Sequence, residues 1–193
     1  LLVSSAASDV YKRQNKIPAI DIKLQDKDIV KIGKIEFEVI FTPGHTKGHI
    51  IYFSKKENTL FVGDVLFSAG CGRIFEGTYE EMYNSLEKIK KLPKNTKIYC
   101  AHEYTENNLK FALSLEEKNQ DLIDRMEEVK KLRAKNLATI PTNLNLELKT
   151  NPFLRTISPE IRKKLGKNSD SYNIDIFSPV SYTHLTLPTI PGV

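Results

Sequence analysis

The sequence predicts an α+β fold, namely the second half of an αββα sandwich followed by a small helical domain. Two observations predict this fold. Runs of β-branched and aromatic residues recur up to about residue 102, and one helical pattern interrupts them. Beyond that point only helical patterns follow, and we place the start of the helical domain at about residue 113.

The predicted strands lie in the first half of the chain. Residues 17–42 are predicted to be mostly strand, with turns at 26–28 and at Gly33. Residues 50–53 and 60–62 are predicted to form a hairpin, and a further strand follows at residues 96–102. The glycine-rich stretch 68–77 is predicted to be a loop.

Four helices are predicted, at about residues 79–92, 105–117, 121–135 and 158–165. Thr78 and Glu81 have the spacing of a capping box at the start of the first helix. Ser158 is predicted to cap the last helix, with Pro159 at its first position. Residues 137–148, which include Pro141, are predicted to be a long loop.

Three predicted strands are each followed by a candidate metal ligand. His45 lies in the stretch TPGHTKGH after the strand that ends at Phe41. Asp64 follows residues 60–62, and His102 ends the strand 96–102. Imidazole and carboxylate groups are the ligands of zinc and similar divalent metals, so these residues could form a metal site at one sheet edge.

These motifs resemble the metallo-β-lactamase superfamily and, within it, glyoxalase II (hydroxyacylglutathione hydrolase). The superfamily pattern is TPGHTKGH, then Gly63-Asp64, then the late histidine. The narrower pattern consists of AGCGRIFEGT at 69–78, AHEYT at 101–105 and NPFLR at 151–155. The resemblance covers about residues 15–177. It implies hydrolysis of S-lactoylglutathione and related glutathione thioesters to a 2-hydroxy acid and glutathione.

The resemblance also implies a site with two divalent metal ions, with zinc first and iron or manganese as alternatives. His45 and His102 would each bind one ion, and Asp64 would bridge the two. A hydroxide held between the ions would attack the thioester, so no protein nucleophile is expected, and Cys71 is not needed as one. His49 is expected to form hydrogen bonds within its loop. Four further ligands of the family lie in a T-H-x-H-x-D-H motif, which the 193 residues do not contain.

The same resemblance implies three substrate-binding residues. Arg73 would bind a carboxylate of the glutathione moiety, because a guanidinium group can hold a carboxylate through two hydrogen bonds. Phe75 stands where some relatives carry tyrosine, and Tyr104 matches a substrate-contacting tyrosine.

Both ends of the chain are interpreted as translated adaptor DNA. A six-codon segment that encodes Asp9–Gln14 encodes, as its reverse complement, Val180–His184. Two unrelated natural tails are the alternative. We expect residues 1–14 and 180–193 to be foreign and to lack packing and regular structure. The native parts are then a partial metallo-β-lactamase domain at 15–112 and a truncated helical substrate-binding domain at 113–179.

Composition narrows the class of protein. The net charge is +5 without a concentrated basic run, which favours a small anionic substrate over nucleic acid. No apolar run reaches the length of a membrane span, and two cysteines fit a reducing cytoplasm. We expect a monomer. A lactonase, a mononuclear-iron sulfur oxygenase and a catalytically inactive fragment remain as alternatives.

Overall fold

The computed structural model describes residues 22–186, with side chains to residue 180. The larger sheet has six strands in the order β1-β2-β3-β4-β7-β8, and β5 and β6 form a separate two-stranded hairpin. The strands are β1 (Ile29–Ile32), β2 (Ile35–Phe41), β3 (Ile50–Ser54), β4 (Thr59–Gly63), β5 (Leu66–Phe67), β6 (Gly70–Cys71), β7 (Lys97–Cys100) and β8 (Thr142–Asn143).

Six helices lie in the described part of the chain. They are α1 (Tyr79–Lys90), α2 (Thr105–Leu115), α3 (Gln120–Ala134), α4 (Leu144–Thr150), α5 (Pro159–Lys164) and α6 (Asn173–Thr186). The α+β prediction is therefore confirmed, with mixed strands and helices first and mainly helices afterwards.

Strand directions bring three strand ends to one edge of the large sheet. β2 and β4 both pair antiparallel with β3, so β2 and β4 run in the same direction. β7 pairs parallel with β4, and helix α1 lies in the crossover between them. The carboxyl ends of β2, β4 and β7 consequently share an edge, and His45, Asp64 and His102 follow those ends.

One face of this sheet packs against helix α1. Ile51, Leu60 and Ile98 on the sheet belong to the same buried cluster as Met82 and Leu86 on the helix. Burying an aliphatic side chain of this size contributes about 1.5–3 kcal/mol, so this contact holds the crossover helix against the strands.

Helix α1 begins with the predicted capping box. The Thr78 hydroxyl accepts from the Glu81 amide at 3.1 Å, and the Glu81 carboxylate accepts from the Thr78 amide at 2.8 Å. Two amides that the helix leaves without partners are thereby satisfied.

Loss of this cap should weaken the fold measurably. Thr78→Ala is expected to lower the free energy of unfolding by about 1 kcal/mol, because the hydroxyl acceptor disappears. Urea unfolding followed by circular dichroism measures the change. Thr78→Ser keeps the hydroxyl and is the matched control. An equal loss in both variants would show that the methyl group, not the cap, stabilises this end.

The structure differs from the predicted loop at residues 137–148. Residues 142–143 form the outer strand β8, and helix α4 follows at once. The Asn143 side chain accepts from the Leu146 amide at 3.0 Å and so caps α4. A two-residue strand and a seven-residue helix are too short to show periodicity, so the pattern does not reveal them.

The predicted cap at Ser158 is wrong in its hydrogen bonding. Ser158 does lie at the N-cap of α5, and Pro159 occupies the first turn, but the serine makes no side-chain cap bond. Its hydroxyl donates instead to the buried Glu116 carboxylate at 2.6 Å. A hydrogen bond to a carboxylate is strong, so it directs the Ser158 side chain towards Glu116 and away from the helix amides that a cap would accept from.

The expectations for the two ends have different outcomes. Residues 1–14 lie outside the described residues. Beyond residue 180 the expectation of no regular structure is wrong as far as Thr186, because α6 continues to that residue. Val180 is fully buried, and Phe177 contacts Tyr83 of α1 at 5.8 Å between ring centroids. The apolar face of α6 explains this packing. The origin of both ends and the division at residue 113 stay predictions.

Candidate metal centre

Asp64 and His102 are in direct contact at the shared sheet edge. Asp64 Oδ1 lies 3.2 Å from His102 Nε2, and the aspartate side chain is 8% exposed while the histidine is 49% exposed. Two ligands on one tetrahedral zinc, with bonds of about 2.0–2.2 Å, lie about 3.3 Å apart. The observed separation therefore fits two ligands of the same metal ion.

His45 is held by the backbone of the neighbouring loop. Its Nδ1 lies 2.7 Å from the carbonyl oxygen of Arg73. A carbonyl can only accept, so Nδ1 carries the proton and donates it. In the neutral ring the unprotonated nitrogen is then Nε2, which is the arrangement typical of a metal-binding histidine with a carbonyl behind it.

His49 has its two ring nitrogens engaged in a different way. Its Nε2 accepts from the Asp64 amide at 3.3 Å, and its Nδ1 lies 2.9 Å from the Thr42 hydroxyl. Since Nε2 accepts, Nδ1 donates to Thr42. The buried His49 ring thus connects the loop between β2 and β3 to the backbone of Asp64. Its bond to Thr42 agrees with the expected hydrogen bonding within this loop.

Gly72 allows His45 and Asp64 to lie close together. A Cβ atom added at Gly72 would lie 1.8 Å from the Asp64 carbonyl oxygen and 3.1 Å from His45 Nδ1. Any other residue would overlap this backbone, so glycine is required here. This role of Gly72 was not predicted from the sequence, although its place in the glycine-rich motif was a usable signal.

Among the described residues, the candidate ligands Asp64 and His102 form a pair, and His45 lies beside that pair. Within residues 22–180, no three His, Cys, Asp or Glu side chains are grouped closely enough to hold a metal ion by themselves. The chemistry of the donors nevertheless fits a divalent metal, because Asp64 and His102 have the separation of two ligands and His45 has the required tautomer.

Two of the predicted substrate residues line the site with aromatic rings. Phe75 is 65% exposed, and its ring centroid lies 5.0 Å from that of His45. Tyr104 is 49% exposed and stacks on His102 at 5.1 Å. Arg73 is exposed at the surface, and its carbonyl is the acceptor for His45. The structure therefore places all three next to the predicted ligands.

The two cysteines are free thiols with little tendency to ionise. Burial raises the pKa of the Cys100 thiol to about 11, and burial raises the pKa of Cys71 further. A thiol is nucleophilic as the thiolate, so neither residue is suited to act as a nucleophile at neutral pH. This agrees with the expectation that no protein nucleophile is needed.

Glu103 anchors the segment that carries His102. Its carboxylate accepts from the Thr139 amide at 2.9 Å and from the Thr105 hydroxyl at 2.8 Å. Burial alone would raise the pKa of Glu103, but these hydrogen bonds outweigh burial and leave the pKa below its ordinary value. No role was predicted for Glu103 from the sequence, because its partner Thr139 is distant along the chain.

Comparison with known proteins identifies the class. The profile described as "Metallo-beta-lactamase superfamily" matches residues 3–102, which is more than half of the chain. The crystal structure of ETHE1 from Myxococcus xanthus has the same fold, with a TM-score of 0.55 and 23% identity over 89% of this chain and 55% of that one. The chain therefore has the metallo-β-lactamase fold, and membership of that superfamily implies divalent metal binding.

The particular family follows from closer relatives. The profile described as "Hydroxyacylglutathione hydrolase C-terminus" matches residues 103–180. Hydroxyacylglutathione hydrolases of Pseudomonas paraeruginosa and Pseudomonas fluorescens are 47% and 45% identical over 88% and 89% of this chain. The chain belongs to the hydroxyacylglutathione hydrolase family, as the motifs indicated. It spans 66% and 67% of the length of these two relatives and 62% of the one from Methylococcus capsulatus.

Among the described residues, none of the helices combines the length and the apolar character needed to cross a bilayer.

Proposed function

We propose that this chain is part of an enzyme that hydrolyses S-lactoylglutathione and related glutathione thioesters to a 2-hydroxy acid and glutathione. The observation that carries the proposal is the 3.2 Å contact between Asp64 and His102 at the shared sheet edge. Family membership gives this pair its context, because relatives 45–47% identical bear the name hydroxyacylglutathione hydrolase.

We propose that His45, Asp64 and His102 contribute to binding two divalent metal ions, zinc first and iron or manganese as alternatives. Bound ions of this kind polarise a carbonyl group and activate water. Within this chain, the Arg73 carbonyl accepts from His45 Nδ1, which leaves Nε2 as the atom that would bind a metal ion. His49 fixes the backbone of Asp64 from behind, and Asp64 contributes negative charge at a largely buried position.

The exposed groups around this pair would bind the substrate. The Arg73 guanidinium would hold a glutathione carboxylate, and glutathione thioesters are anionic. Phe75 beside His45 and Tyr104 beside His102 offer two exposed ring surfaces, against which the less polar parts of the thioester can pack. The positive net charge of the chain favours approach of an anion.

A substrate panel tests the proposed reaction. The chain would be joined to a segment that carries the family's T-H-x-H-x-D-H motif. S-lactoylglutathione, a lactone series and a persulfide would be assayed in air, with added zinc and, separately, with added iron(II). We expect preferential hydrolysis of the thioester. Asp64→Asn keeps the shape but removes the charge, and we expect more than about a hundredfold loss of kcat/KM. Preference for a lactone, or oxidation of the persulfide, would assign the site to the alternative reactions.

Location and assembly stay predictions. The two free cysteines support a reducing cytoplasm, and a monomer without nucleic-acid or membrane partners remains our expectation.

A further inference from the structure

The hairpin formed by β5 and β6 links the helical region to the metal centre. Leu66 pairs with Cys71 and Phe67 pairs with Gly70, so residues 68 and 69 form its turn. Ala69 has φ of +57°, a left-handed conformation that an alanine adopts only at a cost of about 1–2 kcal/mol. Contacts from outside the turn must therefore hold this conformation.

Glu147 of helix α4 provides such contacts from the interior. Its side chain is buried, and its oxygens accept from the Ala69 amide at 2.8 Å and from the Ser68 hydroxyl at 3.2 Å. The Thr142 hydroxyl and Asn151 Nδ2 also donate to it, at 2.6 and 3.0 Å. Burial raises the pKa of Glu147, while these four donors favour the charged carboxylate. Both oxygens act as acceptors, and two of the donors belong to the turn.

Asn151 and Asn108 hold the remaining polar groups of the hairpin. Asn151 Nδ2 lies 3.1 Å from the Phe67 carbonyl and 3.0 Å from the Gly70 carbonyl. With two hydrogens and three acceptors, one of these hydrogen bonds is shared. Asn108 Nδ2 donates to the Ser68 carbonyl at 3.0 Å. Every residue of the turn is thus fixed by a side chain from α2, α4 or the segment after α4.

The hairpin leads directly to the group that orients His45. Cys71 ends β6, Gly72 packs between Asp64 and His45, and the next carbonyl, that of Arg73, accepts from His45 Nδ1. Only Cys71 and Gly72 lie between Gly70, whose carbonyl accepts from Asn151, and Arg73. Because so little backbone lies between them, a shift of the turn would also move the Arg73 carbonyl and disturb its hydrogen bond to the His45 imidazole.

We propose that Glu147, together with Asn151, is a positioning residue that fixes the β5–β6 hairpin and thereby holds the Arg73 carbonyl against His45. Its consequence for catalysis rests on the proposed function, because His45 matters to the reaction as a metal ligand. The positioning itself is a property of this chain and can be measured without metal or substrate.

The experiment measures the His45 hydrogen bond in the complete 193-residue chain. Long-range ¹H–¹⁵N spectra of ¹⁵N-histidine-labelled protein report the tautomer, and one-bond ¹H–¹⁵N spectra report the exchange rate of the Nδ1 proton, at one fixed pH for all variants. A His45→Asn sample assigns the signal. In Glu147→Leu we expect the Nδ1 proton of His45 to exchange at least about tenfold faster, because the hairpin loses its acceptors. Glu147→Gln keeps one acceptor and should restore most of the protection.

Two matched variants separate positioning from general stability. Thr142→Val removes one hydroxyl donor from the buried Glu147, and Ser158→Ala removes one hydroxyl donor from the buried Glu116. We expect Thr142→Val to speed exchange at His45 and Ser158→Ala to leave it unchanged. Thr142→Val also carries the test if Glu147→Leu fails to fold. Equal effects of the two hydroxyl variants, or no effect of Thr142→Val, would overturn the proposal. Failure of the proposed function would appear in the substrate panel and not in these spectra.

Discussion

The 193-residue chain, made without any addition, is expected to hydrolyse S-lactoylglutathione at least about a thousandfold more slowly than the same chain joined to a relative's T-H-x-H-x-D-H segment. On the proposed assignment, this chain contributes His45, Asp64 and His102, and four further ligands would come from the T-H-x-H-x-D-H motif. Metal affinity depends on several ligands held together, so three ligands shared between two ions should bind neither tightly. Bound metal ions would lower the pKa of water and so supply hydroxide, and without them hydrolysis slows accordingly.

The comparison uses turnover at saturating substrate with added zinc and, in parallel, zinc binding by calorimetry. The joined chain with His102→Ala is the control, because it has the added segment but lacks one ligand from this chain. Comparable turnover by the unaltered chain would show that the T-H-x-H-x-D-H motif is dispensable. In that case our assignment of the metal site would be wrong.

Removal of Arg155 should cause a large loss of stability. Arg155 donates to both oxygens of Glu116, at 2.9 and 2.7 Å, and the Glu116 side chain is 2% exposed. Arg155→Met leaves a buried carboxylate without its cation, and we expect a loss of about 3–5 kcal/mol in the free energy of unfolding. Lys149→Met breaks an ion pair whose two side chains are about half exposed, and it should cost less than about 1 kcal/mol.

The pH dependence of this loss has a definite sign. Burial would raise the pKa of Glu116, but hydrogen bonds from Arg155 and Ser158 and the charge of Arg155 outweigh it and leave the pKa below 4.5. The stabilisation is therefore present above about pH 4.5 and disappears as the pH falls through the lower folded-state pKa. Urea unfolding from pH 7 to pH 3 measures this dependence. The free energies of unfolding of the unaltered chain and of Arg155→Met should become more similar as the pH falls. A difference that stays constant over this range would contradict the ion-pair explanation.

The sequence predicted the elements whose pattern is long enough to be periodic. Strands such as β2 and helices such as α3 have enough residues to show alternation or helical spacing. The motifs around His45, Asp64 and His102 predicted the edge of the sheet at which they meet. Family membership, which those motifs indicated, is confirmed by the comparisons.

The elements that the sequence did not reveal depend on partners far away in the chain. In the sequence Glu147 resembles any charged residue of a short helix. Its carboxylate nevertheless accepts hydrogen bonds from Ser68 and Ala69, almost eighty positions earlier. Ser158 has the residue type of a cap, but Glu116 captures its hydroxyl. The packing of Val180 depends on the core that α6 contacts. Local patterns contain no information about such distant pairs.

The outer strand β8 has a consequence for how members of this family can exchange parts. Thr142 and Asn143 come from the mainly helical part of the chain, and they pair with Ile98 and Lys97 of β7. Recombination between two relatives at about residue 103, in nature or by gene shuffling, would exchange strand β8 together with the helices. Viable hybrids must therefore match at this strand pairing, a compatibility requirement that a comparison of ligand-binding residues alone would miss.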